Sequence, residues 1–570
     1  QDGIYHRNET QIIIMKIRNV LFVAISLLFI SLTTSSKNGD DFKAGKNLEI
    51  FFNVFKGVNI MYVDSVNNDV IVRKALDAML EGLDPYTEYF SEKDMDGFKF
   101  ATTGKYGGVG ALIRKRDNDT YGIIESTYKG FPMDNAGVRG GDTIISIDGV
   151  DMKKAKVGDL SDKMKGTPNT IVKIKIKSLL TGETKEHNIR REVVKISPVE
   201  YSGFINDSIG YIAFSNFSQN GAAEVKAALE NLKSTGKLRG LVIDLRDNGG
   251  GIIDEAVNIV GLFVPKGTTV VDTKGKINSN NKSYTTSSTP IEPTLPLAIL
   301  INSSSASASE IVAGSLQDMD RAVILGGRSF GKGLVQATKE VGYGSMLKVT
   351  TAKYYIPSGR CIQALDYSHR NEDGSVGNVP DSLISEFKTL KGRKVYDGGG
   401  IMPDIVMEPD FISIFVASIY ARGYFDDYSI DYYKTHRQAP AIDFKLSDAE
   451  YDKFCKYIAD KDIEFSSKSE DNLTKLIESA KKEKIYASIE EDIKNIEAVL
   501  KHKDRQKSLL ENKNAIKEML ESTIVGRYYY QAGRVEKVAK SDKTVLKAVE
   551  VLSNNKEYEN ILTNVSTSKK

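Results

Sequence analysis

Cysteine occurs twice and histidine five times in 570 residues, and each scarcity removes a class of chemistry. Cys361 and Cys455 lie far apart and match no metal spacing such as Cys-x-x-Cys, so neither a zinc framework nor a disulfide scaffold is expected. His6, His187, His369, His436 and His502 are scattered outside any Gly-rich or acidic motif, which leaves a histidine zinc site or a histidine general base without support. Charge of one sign is also missing: 78 Lys and Arg stand against 76 Asp and Glu, and a formal net charge of +2 gives no argument for nucleic acid. Gly-x-Gly-x-x-Gly and Walker spacings are absent, which disfavours phosphate transfer. No metal, nucleotide or prosthetic group is implied. Tryptophan is absent altogether and carries no functional message.

With 41% hydrophobic residues the chain can bury sizeable cores, and its length suggests about three to four domains. The first 14 residues carry no coherent pattern. Met15 then opens a charged start (Lys16, Arg18), an apolar run from Val20 to Leu32 and small residues to Ser36. Residues 1–36 are therefore expected to be upstream sequence and a secretory signal peptide, with Met15 the natural start and export to the cell envelope or periplasm. An uncleaved membrane anchor is the alternative, because no Ala-x-Ala cleavage site is evident.

Four further segments follow. Apolar residues at helical spacing (Leu48, Phe51, Val54, Phe55; Ile71, Ala75, Leu76, Met79) predict a helical arm over residues 46–97, broken at Gly82-Leu-Asp-Pro85-Tyr-Thr. Residues 98–190 read as short strands and turns. Gly107-Gly108-Val109-Gly110 leads into a strand, Ala136-Gly137 ends a short helix, and Gly141-Asp-Thr-Ile-Ile-Ser-Ile-Asp-Gly149 follows. That order resembles a PDZ domain, whose loop amides would capture a peptide C-terminal carboxylate while the peptide adds as a strand along Val109 to Ile113. Residues 195–410 alternate strand and helix, an α/β layered core. Residues 426–570 are Lys/Glu-rich and helical, with faces such as Ile516, Met519, Leu520 and Ile524, and carry no acid–base constellation; packing, dimerisation and substrate access all remain open for them.

Three stretches of the α/β core read as one site. Leu295 to Ile301 is a buried-looking strand ending in Ser303-Ser-Ser-Ala-Ser307-Ala-Ser309-Glu310, after which a helix starts at once. Such a turn can hold a nucleophilic hydroxyl beside helix amides, although Ser307 followed by Glu310 is equally a capping box. Asp244-Leu-Arg-Asp-Asn248-Gly249-Gly250-Gly251 is a strand end whose glycines let backbone N–H groups approach a ligand. Phe330-Gly331-Lys332-Gly333-Leu-Val-Gln336 sets a lysine between glycines. Without a histidine nearby, Lys332 is the natural base for a serine, provided burial keeps it neutral. Gln336, four positions on, would orient it without adding charge.

Together these motifs, with Pro357-Ser-Gly-Arg360-x-Ile362-Gln363 and Gly399-Gly-Ile-x-Pro403-Asp404, resemble the C-terminal processing peptidases, also called tail-specific proteases, from about Leu48 to Glu408. The resemblance implies a multidomain α/β fold: helical arm, mostly β PDZ domain, β/α-spiral core of the crotonase/ClpP-like type, and a helical C-terminal region. It implies Ser307 as nucleophile, Lys332 as general base 25 positions downstream, and Gln336 as its orienting residue. Oxyanion donors would be the Ala308 N–H and one of the Gly250 or Gly251 amides; Gly249 stands where the family often has Pro. The implied partners are protein or peptide substrates bound by their C-termini, with homo-oligomerisation left open. The rival readings are a catalytically inactive, PDZ-type envelope scaffold and, through the shared spiral, an acyl-CoA enzyme. The intact Ser307, Lys332 and Gln336 set argues against the first, and the signal and PDZ segments against the second.

Overall fold

The computed structural model describes residues 38–563 except 117–118, 372, 410–411, 462, 464–467 and 502–504. The expected signal segment, 1–36, lies outside the described residues. The chain divides into two compact units, Gln1–Gly82 and Leu83–Lys570. In the first, helices Asn38–Met61 and Asn68–Glu81 form as their apolar spacing predicts, the second capped by Asn67, whose side chain accepts from the Val70 N–H at 3.2 Å. The helices stop at Gly82, at the expected break, and within the rest of the expected arm, to residue 97, the chain is not continuously helical. Residues Glu88–Phe90 are a strand, paired antiparallel with Ser345–Tyr355, and helix Met95–Thr103 follows them.

Within the larger unit, the PDZ portion is a sheet ordered Ala111–Arg114, Ile123–Thr127, Thr143–Ile147, Ile171–Lys177, Thr184–Arg190. Strand Ile171–Lys177 shows why these residues choose this conformation. Val172, Ile174 and Ile176 are buried while Lys173, Lys175 and Lys177 face solvent, the two-residue period of a half-buried strand. Their core includes Ile124, Met133, Ile144 and Leu160, all without solvent exposure.

The α/β core is built on a six-stranded sheet ordered Val199–Phe204, Ile209–Phe214, Gly240–Asp244, Leu297–Ile301, Val323–Gly326, Ile405–Val406. Only the first pair is antiparallel. The parallel strands are continuous apolar runs because both faces are covered. On one face Ile243, Leu297, Ile299 and Ile324 meet helices Gly221–Ser234, Ile253–Val260 and Ala308–Asp318. On the other, Val242, Ala298, Leu300 and Leu325 meet Val545, Ala548, Val551 and Leu562 of helices Lys543–Ser553 and Asn555–Thr563. The last two described helices therefore complete the α/β core rather than standing apart from it. Tyr558 fastens them: its hydroxyl accepts from the Leu297 N–H and donates to the Arg321 carbonyl, both at 3.1 Å.

The remaining helices begin at Ile414, before the expected boundary at 426, and gather around Phe415, Phe425, Phe454, Ile516 and Ile524. Helix Lys513–Ala539 joins this cluster to the sheet and bends at Tyr530, whose φ of 59° and ψ of −162° are not helical. There the helical region grips the PDZ portion. The Tyr530 hydroxyl donates to Asp134 at 2.9 Å, Arg527 donates to the Glu125 carbonyl at 2.9 Å, and Arg116 pairs with Asp427 at 2.8 Å.

Candidate active site

Strand Leu297–Ile301, inside the sheet, delivers the serine turn to the carboxyl end of the parallel strands, and the loop after strand Gly240–Asp244 lies beside it because the two strands pair in parallel. The outer serines are spent on that loop. Ser305 Oγ donates to the Leu245 carbonyl at 2.7 Å and Ser309 Oγ to the Asn248 carbonyl at 2.8 Å; neither serine has solvent exposure. Of Ser305, Ser307 and Ser309, it is Ser307 that is partly exposed, at the N-cap of helix Ala308–Asp318. Its backbone sits at φ 56°, ψ −114°, a region a non-glycine residue occupies at a cost of about 1–3 kcal/mol and only where its surroundings over-determine it. The helix behind it is buried on every side rather than along one stripe, being held between the sheet and neighbouring elements.

Gly250 explains why the loop needs glycine. At φ 96°, a Cβ there would come within 2.8 Å of both Ser307 Cβ and the Ala308 nitrogen. The Ala308 N–H belongs to the first helical turn and has no intrahelical partner by position. Gly250, one of the two glycines expected to offer an oxyanion donor, gives its own N–H to Asn248 Oδ1 at 2.9 Å. Asn248, fully buried, is itself anchored through its amide to the Phe214 carbonyl at 2.7 Å. Gly251, bridged to Phe217 at φ 147°, is the other glycine of the expected pair.

The lysine loop is brought to the serine turn by a residue the sequence presents only as a capping-box partner. Glu310 has no solvent exposure and accepts four hydrogen bonds. Oε1 takes Ser329 Oγ at 2.6 Å and the Gly331 N–H at 2.7 Å; Oε2 takes the Ser307 N–H at 2.8 Å and the Lys332 N–H at 2.9 Å. The backbone nitrogens of Ser307 and Lys332 thus share one oxygen, and lie no farther apart than the sum of those two distances. Burial pushes the Glu310 carboxyl up to about 7, against the opposing pull of all four donors. The signal in the sequence was a single acid in a run otherwise small and apolar, Ala306 to Gly314, with no polar face to carry it.

Lys332 has the environment a neutral amine requires. Burial draws it down to about 8, with help from Lys348 and opposition from Glu310, Asp84 and Glu88. Its Nζ lies 4.2 Å from the centre of the Tyr86 ring. Gln336, on strand Leu334–Gly342, donates from its amide to Thr350 Oγ1 at 3.1 Å. The other motifs fasten this frame. Gln363 Oε1 accepts the Gly333 N–H at 2.7 Å, and Arg360 donates to Asp318 and Gln317, at the C-terminal end of the serine helix, at 2.8 and 2.9 Å. Among the described residues no group of three or more His, Cys, Asp or Glu is placed to hold a metal ion.

The PDZ portion carries a groove of about 690 Å³ between edge strand Ala111–Arg114 and helix Val157–Met164. Gly107 and Val109 line it with Ala111, Ile113, Tyr128 and Met164, and Lys99, Lys105 and Lys165 stand around it. Gly108 and Gly110 are not in its lining; Gly110, at φ 74°, turns the chain against Phe131, where a Cβ would fall 2.4 Å from the Phe131 Cβ.

Comparison with known proteins agrees with this division of labour. Residues 208–368 match Peptidase family S41, residues 99–177 the PDZ domain, and residues 415–552 the C-terminal helical domain described for a probable PDZ-protease. A carboxy-terminal-processing protease of Bartonella bacilliformis is 32% identical over 65% of this chain and 83% of its own length. A probable CtpA-like serine protease of Staphylococcus aureus is 32% identical over 63% of this chain and 71% of its own. The solved photosystem II D1 C-terminal processing protease is similar over 63% of this chain and 92% of its own, at 25% identity and a TM-score of 0.32. The chain belongs to the C-terminal processing peptidases of family S41: it is a serine-type peptidase that carries a PDZ domain and a C-terminal helical domain.

Proposed function

We propose that this peptidase is an exported endopeptidase that binds protein C-termini in its PDZ groove and cleaves through Ser307 and Lys332. The observation that carries the reading is the shared Glu310 oxygen, which fixes the backbone of the partly exposed Ser307 beside that of the half-buried Lys332. Neutral Lys332 Nζ takes the Ser307 proton as Oγ attacks the scissile carbonyl carbon. The carbonyl oxygen, now negative, is met by the N–H of Ala308 and that of Gly251. As the C–N bond breaks, the Lys332 ammonium returns its proton to the leaving amine. Water then attacks the ester, with Lys332 accepting its proton, and as the C–Oγ bond breaks Lys332 returns that proton to Ser307 Oγ and the acid product leaves.

The edge position of strand Ala111–Arg114 supports recognition by strand addition, and the lysines around the groove suit a carboxylate. Export rests on the charged and apolar pattern of residues 15–36; among the described residues no helix is long and apolar enough to cross a membrane. An activity-based serine probe tests the chemistry: it is expected to label Ser307, and labelling retained in Ser307→Ala would overturn the assignment. N-terminal sequencing of protein recovered from the envelope tests export; a product recovered only in the cytosol would contradict it.

A further inference from the structure

Asp84-Pro85-Tyr86-Thr87 is, from its composition, only a stop for the preceding helix. In the structure it is built into the peptidase site. Asp84 Oδ1 accepts the N–H groups of Tyr86 and Thr87, both at 2.9 Å, and Thr87 Oγ1 donates to Asp84 Oδ2 at 3.0 Å, so the turn is closed on itself. Asp84 and Thr87 are both buried. The same Thr87 Oγ1 accepts the Thr350 N–H at 3.1 Å, and Thr350 Oγ1 accepts from Gln336. Immediately beyond, Glu88↔Lys348 and Phe90↔Met346 pair the chain to strand Ser345–Tyr355. The turn is thereby tied to the sheet that carries Gln336, and it presents the Tyr86 ring to Lys332 Nζ at 4.2 Å. Tyr367 backs the ring edge-on, with centroids 6.0 Å apart and its hydroxyl donating to that of Tyr86 at 3.5 Å.

We propose that Tyr86 is a positioning residue for the general base, its ring face holding the ammonium that Lys332 becomes each time it takes the Ser307 proton. The inference rests on the Ser307/Lys332 reading above. A desolvated lysine is readily neutral, which a base needs, but the ammonium it forms must then be held without a directly paired carboxylate that would keep it charged. An aromatic face does this: it attracts the cation and has little hold on the neutral amine. The charged groups facing Lys332 set the rest of the balance. Lys348 disfavours the ammonium, Glu310, Asp84 and Glu88 favour it, and the Tyr86 hydroxyl stays protonated because burial and its neighbours raise its pKa.

The test is the pH profile of kcat/KM for cleavage of an unfolded protein by the full chain. Tyr86→Leu, which removes the ring, is expected to lower kcat/KM by about 2- to 30-fold and move the acid limb down by about 0.4 to 1.5 pH units. Tyr86→Phe, which keeps the ring, is expected to bring the limb back. Fluorinated phenylalanines at position 86 weaken the ring face stepwise at nearly constant shape, and serve if Tyr86→Leu fails to fold. The limb should then fall progressively with each added fluorine. A limb that moves upward in Tyr86→Leu, or shows no trend with fluorine, overturns the proposal. Lys332→Ala is the control: if it keeps activity, the base assignment fails and the proposal with it. If it is inactive and the ring series shows no trend, only the proposal fails.

Discussion

At the serine turn, a fully buried carboxylate collects four donors from two loops and fixes the backbone on which the proposed nucleophile and its proposed base sit. In the PDZ groove the reverse holds: an edge strand and an open cleft leave backbone available for a ligand to complete. The contrast follows from the two tasks. The chemistry proposed for Ser307 and Lys332 tolerates little misplacement, so the frame is over-determined before substrate arrives. Recognition of many chain ends benefits from main-chain pairing, which any peptide can supply. Glu310 is thus to the first region what the unpaired edge is to the second.

The largest way to separate the two regions is Ser307→Ala. It should reduce cleavage by about 10⁴-fold or more while leaving peptide binding to the PDZ groove intact, as read by fluorescence anisotropy. Next comes Glu310→Gln. Its amide NH₂ faces either Ser329 and Gly331 or Ser307 and Lys332, where only acceptors serve. A loss of about 2–4 kcal/mol in stability is expected, with a parallel fall in kcat and no change in peptide affinity. Unchanged kcat would show that the shared carboxylate is dispensable. A smaller effect should come from the other side. Amidating the C-terminus of a substrate removes the charge the groove is proposed to read, and should raise KM by about 10- to 100-fold without slowing probe labelling of Ser307. The smallest is structural: Tyr558→Phe removes the acceptor of the buried Leu297 N–H at the start of the strand that carries the serine turn. About 1–3 kcal/mol of stability should go, measured by denaturant unfolding, with kcat/KM preserved in the molecules that remain folded.

The sequence makes the proposed catalytic pair legible because its motifs are local: Ser307, Lys332 and the glycines each sit in short strings whose order carries the information. The strand-and-helix alternation of the core is legible for the same reason, since continuous apolar runs such as Leu297–Ile301 announce burial on both faces. What stayed hidden depends on residues far apart in the chain. Tyr86 reaches Lys332, and Tyr558 reaches Leu297, only through the completed sheets. The C-terminal helices look like a separate Lys/Glu-rich bundle because their outer faces are charged; the inner face of Val545, Ala548, Val551 and Leu552 finds its partner on the core sheet. Glu310 illustrates a third case. Its spacing from Ser307 fits a capping box, and the contact is made through the Ser307 N–H, but the same carboxylate serves a second loop that spacing alone does not reveal.

The most direct test of the account is the pH dependence of Ser307 labelling by an activity-based probe, compared between the wild-type chain and Lys332→Ala. With the Lys332 amine drawn down to about 8, the neutral base becomes available as pH rises, so the wild-type rate should climb about tenfold per pH unit and level off near 8. In Lys332→Ala that rise should vanish and labelling should be slower at every pH. Equal rates in the two proteins, or a wild-type rate flat between pH 6 and about 9, would contradict the assignment of Lys332 as the base that activates Ser307.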